Sequence, residues 1–243
     1  MTDLREAIPK LRESVAAIVK LRITKPETTT KGKVTPAQFE VGWGSAFLVT
    51  TFHVLNGGKP RDASAKLYAL VVPGNGNPFF TFPVVGFPLE RPDLDIAVLE
   101  IGPCVTAGIH LPAVPVSFAQ QTDGTAVLTM GFPAPEIAGL NADPHGNFLG
   151  GQFFLKSHAN EGIVAAHYAL ASNVPVYELN VRWHHGESGG PIASTERQPI
   201  PFSVMQHYRN VQGPHGVLPG PRRGLALSVI RQELEGLGVV GVQ

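Results

Sequence analysis

Cysteine is nearly absent from this 243-residue chain, Cys104 being the only one. An intrachain disulfide is excluded, so packing and hydrogen bonds alone must hold the fold. Charge is scarce and balanced: Lys plus Arg and Asp plus Glu number 19 each, for a formal net charge of zero. That balance removes the electrostatic case for nucleic acid or an anionic membrane as partner. No apolar run approaches the ~18 residues of a spanning helix, so no membrane contact is expected. The first residues lack the apolar stretch of a secretory leader, and the expected location is cytoplasmic. Gly (27) and Pro (22), by contrast, are plentiful. Such a composition suits many short strands joined by tight turns, and two units of about 100 residues each would divide the length comfortably.

The pattern along the chain fits that division. A short helix interrupted at Pro9 is expected over residues 3–12, then strands over 14–23, 38–43, 65–72, 79–87 and 95–101, with a polar Thr- and Lys-rich loop over 24–36. Prolines and glycines between Pro103 and Val116 break any period and predict a connector. Further strands are expected near 125–130, 150–156, 162–171, 175–181, 190–194, 201–208 and 223–228, with a long loop from Gly139 to Gly151. Ser228 to Gly238 reads as an amphipathic closing helix, with Val229, Ile230, Leu234 and Leu237 on one side and Arg231, Gln232, Glu233 and Glu235 on the other. The organisation expected is residues 1–102, a connector over 103–118, and residues 119–243.

One run stands out chemically, Gly186-Glu187-Ser188-Gly189-Gly190-Pro191. Glycine at 186 lets the backbone turn so that the amides of Gly186 and Ser188 can converge on a developing oxyanion. Gly189 and Gly190 leave the wall beside the serine bare. A serine hydroxyl still needs a base, and a Gly-Ser-Gly-Gly turn by itself also occurs without chemistry. A base is available in His53, at the end of the apolar run Val49-Thr50-Thr51-Phe52. An acid is available in Asp95, directly before the apolar segment Ile96 to Leu99, where a carboxylate could fix the imidazole tautomer. Asp93, two residues earlier, competes for that role.

Together these segments resemble the chymotrypsin/trypsin-like serine peptidases, and more closely their bacterial high-temperature-requirement branch. Gly44 to Val49 is similar to that family's strand before the histidine, Asp95 to Leu99 to its aspartate strand, and Gly186 to Pro191 to its serine turn. Met130-Gly131-Phe132-Pro133 and Arg223 to Ser228 are weaker echoes. The resemblance implies an all-β fold of two six-stranded antiparallel Greek-key barrels with a short C-terminal helix; the branch often carries a C-terminal PDZ domain, but with five residues left after the closing helix none is expected here. It further implies His53 as general base, Asp95 as its orienter, Ser188 as nucleophile, and the amides of Gly186 and Ser188 as oxyanion hole. The expected reaction is peptide-bond hydrolysis, on a protein or peptide substrate and without a cofactor. Two departures stand out: Phe52 before the histidine, and Glu187 where the family has aspartate or asparagine. The shortened stretch from Gly44 to His53 keeps a rival open, an inactive relative serving as a peptide-binding scaffold.

Around the serine turn, Arg182, Trp183, His184, His185 and His207 are candidate walls of a substrate pocket. Arg182 either faces the pocket and selects an acidic side chain or points to solvent above an apolar floor. Neighbouring histidines on an extended chain point to opposite faces, and no Cys or carboxylate set stands at ligand spacing, so no metal is expected.

Overall fold

β-Branched and aromatic runs in the first hundred residues pair with one another in antiparallel order. A computed structural model describes residues 4–25, 27–30, 33–35, 38–46, 49–56, 64–72, 79–104, 114–133, 136–145, 147–170, 172–182, 184–196, 198–213 and 216–242. Helix α1 (Leu4–Glu13) leads and runs through Pro9 rather than stopping there. Pro9 lies in the second turn, where its missing N–H forgoes a single intrahelical bond, and burial of Ala7 and Leu11 holds the helix.

Strand β1 (Ala16–Lys25) follows, and the expected polar loop instead contains a small hairpin, β2 (Thr28–Thr30) with β3 (Lys33–Thr35). Then come β4 (Gln38–Ala46), β5 (Val49–Thr50), helix α2 (Phe52–Asn56), β6 (Lys66–Val71), β7 (Phe80–Arg91), a 3-10 turn over Pro92–Leu94, and β8 (Ile96–Ile101). They form one six-stranded sheet in the order β4-β1-β6-β7-β8-β5. It is a half-barrel among the described residues.

Among the described residues of the connector, β9 (Val116–Ser117) is the one segment that pairs as a strand. The second unit contains β10 (Ala126–Gly131), β11 (Glu136–Ala142), β12 (Phe148–Phe154), β13 (His158–Ala169), β14 (Pro175–Asn180), β15 (Pro191–Ser194), β16 (Pro201–Gly213) and β17 (Gly216–Ala226). Six of these close a barrel in the order β10-β13-β14-β17-β16-β15. A 3-10 turn (Leu227–Ile230), helix α3 (Arg231–Gly236) and β18 (Gly241–Val242), parallel to β9, end the chain. The all-β, double-barrel expectation with a short closing helix holds.

Two local readings change. The stretch expected as a loop from Gly139 to Gly151 is the hairpin β11–β12, turned by Asp143, whose carboxylate accepts the N–H groups of His145 (2.9 Å) and Asn147 (2.7 Å). Its glycines read as breakers, but Gly151 is needed for packing: a Cβ there would strike the Phe153 ring and lie 2.9 Å from the Gly139 carbonyl oxygen of the facing strand. In the closing helix Ile230 and Leu234 are buried as expected, whereas Leu237 is exposed, because α3 stops at Gly236 and turns at Gly238 (φ 83°).

One apolar core joins the two units. It runs from Val49 and Ile96 through Leu128, Met130 and Phe132 to Val204 and Leu225, and Leu227, Ile230 and Leu234 cover it. The interior of the closed barrel is a separate cluster where Tyr177 and Phe202 meet edge-to-face at 5.3 Å between ring centroids. Phe202→Ala would leave a cavity in that interior. The expected cost is about 3–5 kcal/mol, read as a lower urea midpoint with an unchanged denaturant slope.

Candidate active site

His53 sits in the first turn of α2, not at a strand end, because β5 stops after Thr50 and Val54 N–H closes on the Thr51 carbonyl (3.2 Å). One carboxylate grips the residue at two points. Asp95 Oδ1 accepts the His53 backbone N–H at 2.9 Å, and Oδ2 lies 2.8 Å from the ring Nδ1. Asp95 adopts a left-handed conformation (φ 53°, ψ 47°) at the end of the 3-10 turn, with its N–H on the Pro92 carbonyl (3.2 Å). Aspartate is among the few residues that tolerate that region. Asp93 is excluded from His53 by its own partner: Arg91 donates to both its oxygens (3.0 and 2.8 Å) and holds its carboxyl below the usual range. The competition between the two acids is resolved in favour of Asp95 as the contact of His53.

The serine run forms two successive reverse turns. Glu187 N–H bonds the His184 carbonyl (3.3 Å) and Gly190 N–H bonds the Glu187 carbonyl (3.0 Å). The third residue of each turn is a glycine at positive φ, Gly186 at 94° and Gly189 at 86°. A positive φ at that position alone defines the type II form, which a side chain would strain. Ser188 is the second residue of the second turn and is half-buried.

Strand β16 holds this loop from behind. Gly189 N–H donates to the Met205 carbonyl (2.8 Å) and Met205 N–H to the Gly190 carbonyl (2.9 Å). The next residue, Gln206, is buried and reaches the other unit, its Nε2 donating to the Leu94 carbonyl at 2.6 Å. Pairing with β17 shifts between Met205 and His207, so Gln206 is the extra residue of a bulge. Ser188 and the Asp95–His53 pair are thus tied to adjacent residues of one strand. Arg91 adds a second link, to Glu233 of α3 (3.4 Å).

Glu187 is fully buried beside the serine. Its Oε2 accepts the His184 N–H (2.7 Å) and its Oε1 the Asn160 side-chain amide (3.2 Å). Burial raises its carboxyl above the usual range, partly offset by the His184 amide and by the nearby His184, Asn160 and His158.

Comparison with known proteins agrees with this geometry. Residues 13–200 match the trypsin-like peptidase domain family. The chain belongs to that family. Its expected place among trypsin-like serine proteases follows, and the enzyme is a hydrolase of that type. Among solved structures, the HtrA-type protease AlgW with a decapeptide superposes with a TM-score of 0.65 over 96% of this chain and 68% of the AlgW chain, at 15% identity. A substituted form of AlgW with a tripeptide gives 0.60 over 98% and 65%, at 16% identity. At such identities the likeness is one of fold. No curated protein sequence matches the chain.

Of the pocket candidates in this trypsin-like protease, Arg182, His184 and His185 are exposed. Trp183 and the side chain of His207 lie outside the described residues. No group of three or more metal-ligating side chains comes together among the described residues. Sequence reasoning noticed Glu187 only as a substitution and passed over Asn160 and Gln206. Gln206 did carry a signal, as the one amide in the buried segment Pro201 to Gln206.

Gly190 tests how tightly this loop is seated. A Cβ there would overlap the Met130 carbonyl oxygen and lie 3.0 Å from the Glu187 carbonyl oxygen, both backbone atoms. Gly190→Ala is expected to cost about 1–3 kcal/mol of stability by overpacking. Turnover should fall with it, as denaturation and steady-state assays on the same preparation would show.

Proposed function

We propose that this protease cleaves peptide bonds within protein or peptide chains through an acyl-enzyme on Ser188. His53 takes the hydroxyl proton as Ser188 attacks the carbonyl and returns it to the leaving amine. Asp95 holds the ring in the tautomer that leaves Nε2 free to accept, and stabilises the imidazolium. The amides of Gly186 and Ser188 receive the oxyanion. A water deprotonated by His53 then releases the acid and regenerates the serine.

The double grip of Asp95 on His53 carries this reading. The bond to the backbone N–H fixes where the residue sits, and the bond to Nδ1 fixes how its ring turns. A scaffold that only binds peptide has no need of that arrangement. The peptides in the AlgW structures support a peptide as ligand of this fold.

A fluorophosphonate probe should label native protein at Ser188 and leave Ser188→Ala unlabelled. The same substitution should lower peptide turnover by several orders of magnitude without changing the unfolding midpoint, and His53→Ala should cost about as much, since the members of a triad act as a unit. Equal turnover in wild type and Ser188→Ala would replace this reading with the scaffold one.

Exposed Arg182 presents no desolvated guanidinium awaiting an acidic side chain. Its attraction for substrate is screened and worth less than about 1 kcal/mol. Arg182→Glu should therefore change kcat/KM for substrates with Glu or Asp before the scissile bond by less than about fivefold. A peptide-library profile showing a larger swing would place the side chain in the pocket.

A further inference from the structure

We propose that Glu187 and Asn160 form a buried strut that sets the conformation of the turn His184 to Glu187, making both positioning residues for the hydrolysis proposed above, on which this inference rests. The turn has two accessible forms. Type I and type II turns keep the same bond between the first carbonyl and the fourth N–H, and differ by rotation of the central peptide. That peptide joins His185 to Gly186 and carries the Gly186 N–H. Glycine makes either form sterically cheap, and the shared bond between Glu187 N–H and the His184 carbonyl cannot discriminate between them. Something outside the turn bond must select the φ of 94° found at Gly186.

The Glu187 side chain is placed to do so. Its Oε2 takes the His184 N–H at 2.7 Å, so residue 187 holds both backbone groups of the first residue of the turn, the carbonyl by its own N–H and the N–H by its carboxyl. Its Oε1 takes the Asn160 amide at 3.2 Å, and Asn160 is a paired residue of β13, opposite Thr129 of β10. The turn is thereby referenced to the wall of the closed barrel. On the neighbouring strand β10, Gly131 lets Glu187 seat closely, since a Cβ there would lie 2.8 Å from the Glu187 Cα. A carboxylate this buried keeps its place only with both oxygens satisfied, so losing either donor disturbs the whole strut.

The test uses the full chain with Glu187→Gln, Glu187→Ala and Asn160→Leu, a peptide substrate, and the backbone amide of Gly186 observed by NMR. Asn160→Leu and Glu187→Ala should lower kcat by about 10- to 1,000-fold, the span up to loss of one oxyanion donor, with KM changed less than about threefold. Glu187→Gln keeps an acceptor for the His184 amide and, with the Asn160 amide turned over, a bond there too; it should retain kcat within about tenfold. The Gly186 amide should give one sharp resonance in wild type and show microsecond-to-millisecond exchange in Asn160→Leu.

If Glu187→Ala does not fold, Asn160→Leu decides, because it keeps the number and branching of the side-chain heavy atoms at a half-buried site. A folded Asn160→Leu with unchanged kcat and an unbroadened Gly186 amide overturns the strut. Should wild type neither turn over peptide nor label at Ser188 while the Gly186 exchange still appears on substitution, the strut stands and the hydrolytic reading falls.

Discussion

The contacts made by Met205 and Gln206 are the constraint on which the rest of the site depends. Met205 uses both backbone groups on the serine turn, and Gln206, one residue on, sends its amide across to the carbonyl before Asp95. Adjacent peptide units move together, so a single short segment fixes the nucleophile-bearing loop relative to the acid. It can do so because β16 is paired on both sides within a closed barrel and cannot slide without breaking two ladders. The bulge at Gln206 aims a polar side chain out of the barrel toward the other unit. A buried amide without a partner would cost a few kcal/mol, and here that cost is offset by bridging the units at the point where their chemistry meets.

Backbone strain collects around the same place. Asp95, Gly186 and Gly189 all occupy the positive-φ region. Asp95 and Gly189 are held by hydrogen bonds from outside their own turns, the Asp95 carboxylate by His53 and Gly189 by Met205, while the turn containing Gly186 is held by the side chain of its own last residue, Glu187, anchored on Asn160. For Asp95, which carries a side chain, such a conformation costs of order 1–3 kcal/mol and persists only where the surroundings over-determine it.

Much of this was legible in the sequence because it rests on local rules. Alternating and β-branched runs placed the strands, and glycines at 186, 189 and 190 announced a turn that other residues would strain. The choice of Asp95 over Asp93 rested on the resemblance alone, since both share a face on an extended chain; the physical grounds are the turn Pro92–Leu94 and Arg91, which captures Asp93. His53 moved from a strand end into a helix because β5 is only two residues long, a length no periodicity can resolve. The roles of Asn160 and Gln206 come from partners 27 and 112 residues away, and distance in sequence erases such a signal. The hairpin β11–β12 was hidden for a different reason: its glycines argue by propensity for a loop, whereas Gly151 serves close packing within a strand.

Two carboxylates in the site show how environment divides the work. Asp95, with 27% of its side chain exposed, accepts two donors from His53. Glu187, with none, faces inward and accepts donors that belong to the scaffold. For Glu187 the consequence for folding is opposite in sign to what paired acids usually give. Because the folded protein raises the Glu187 carboxyl above its ordinary value of 4.5, folding favours the protonated form. That contribution is fully present below the unfolded value and declines as pH rises through the raised one. Once pH passes the raised value, the carboxylate form of the strut is therefore held at some expense of stability. The site keeps it because an anion accepts strongly from the His184 and Asn160 donors at once, which a neutral apolar side chain of the same volume could not do.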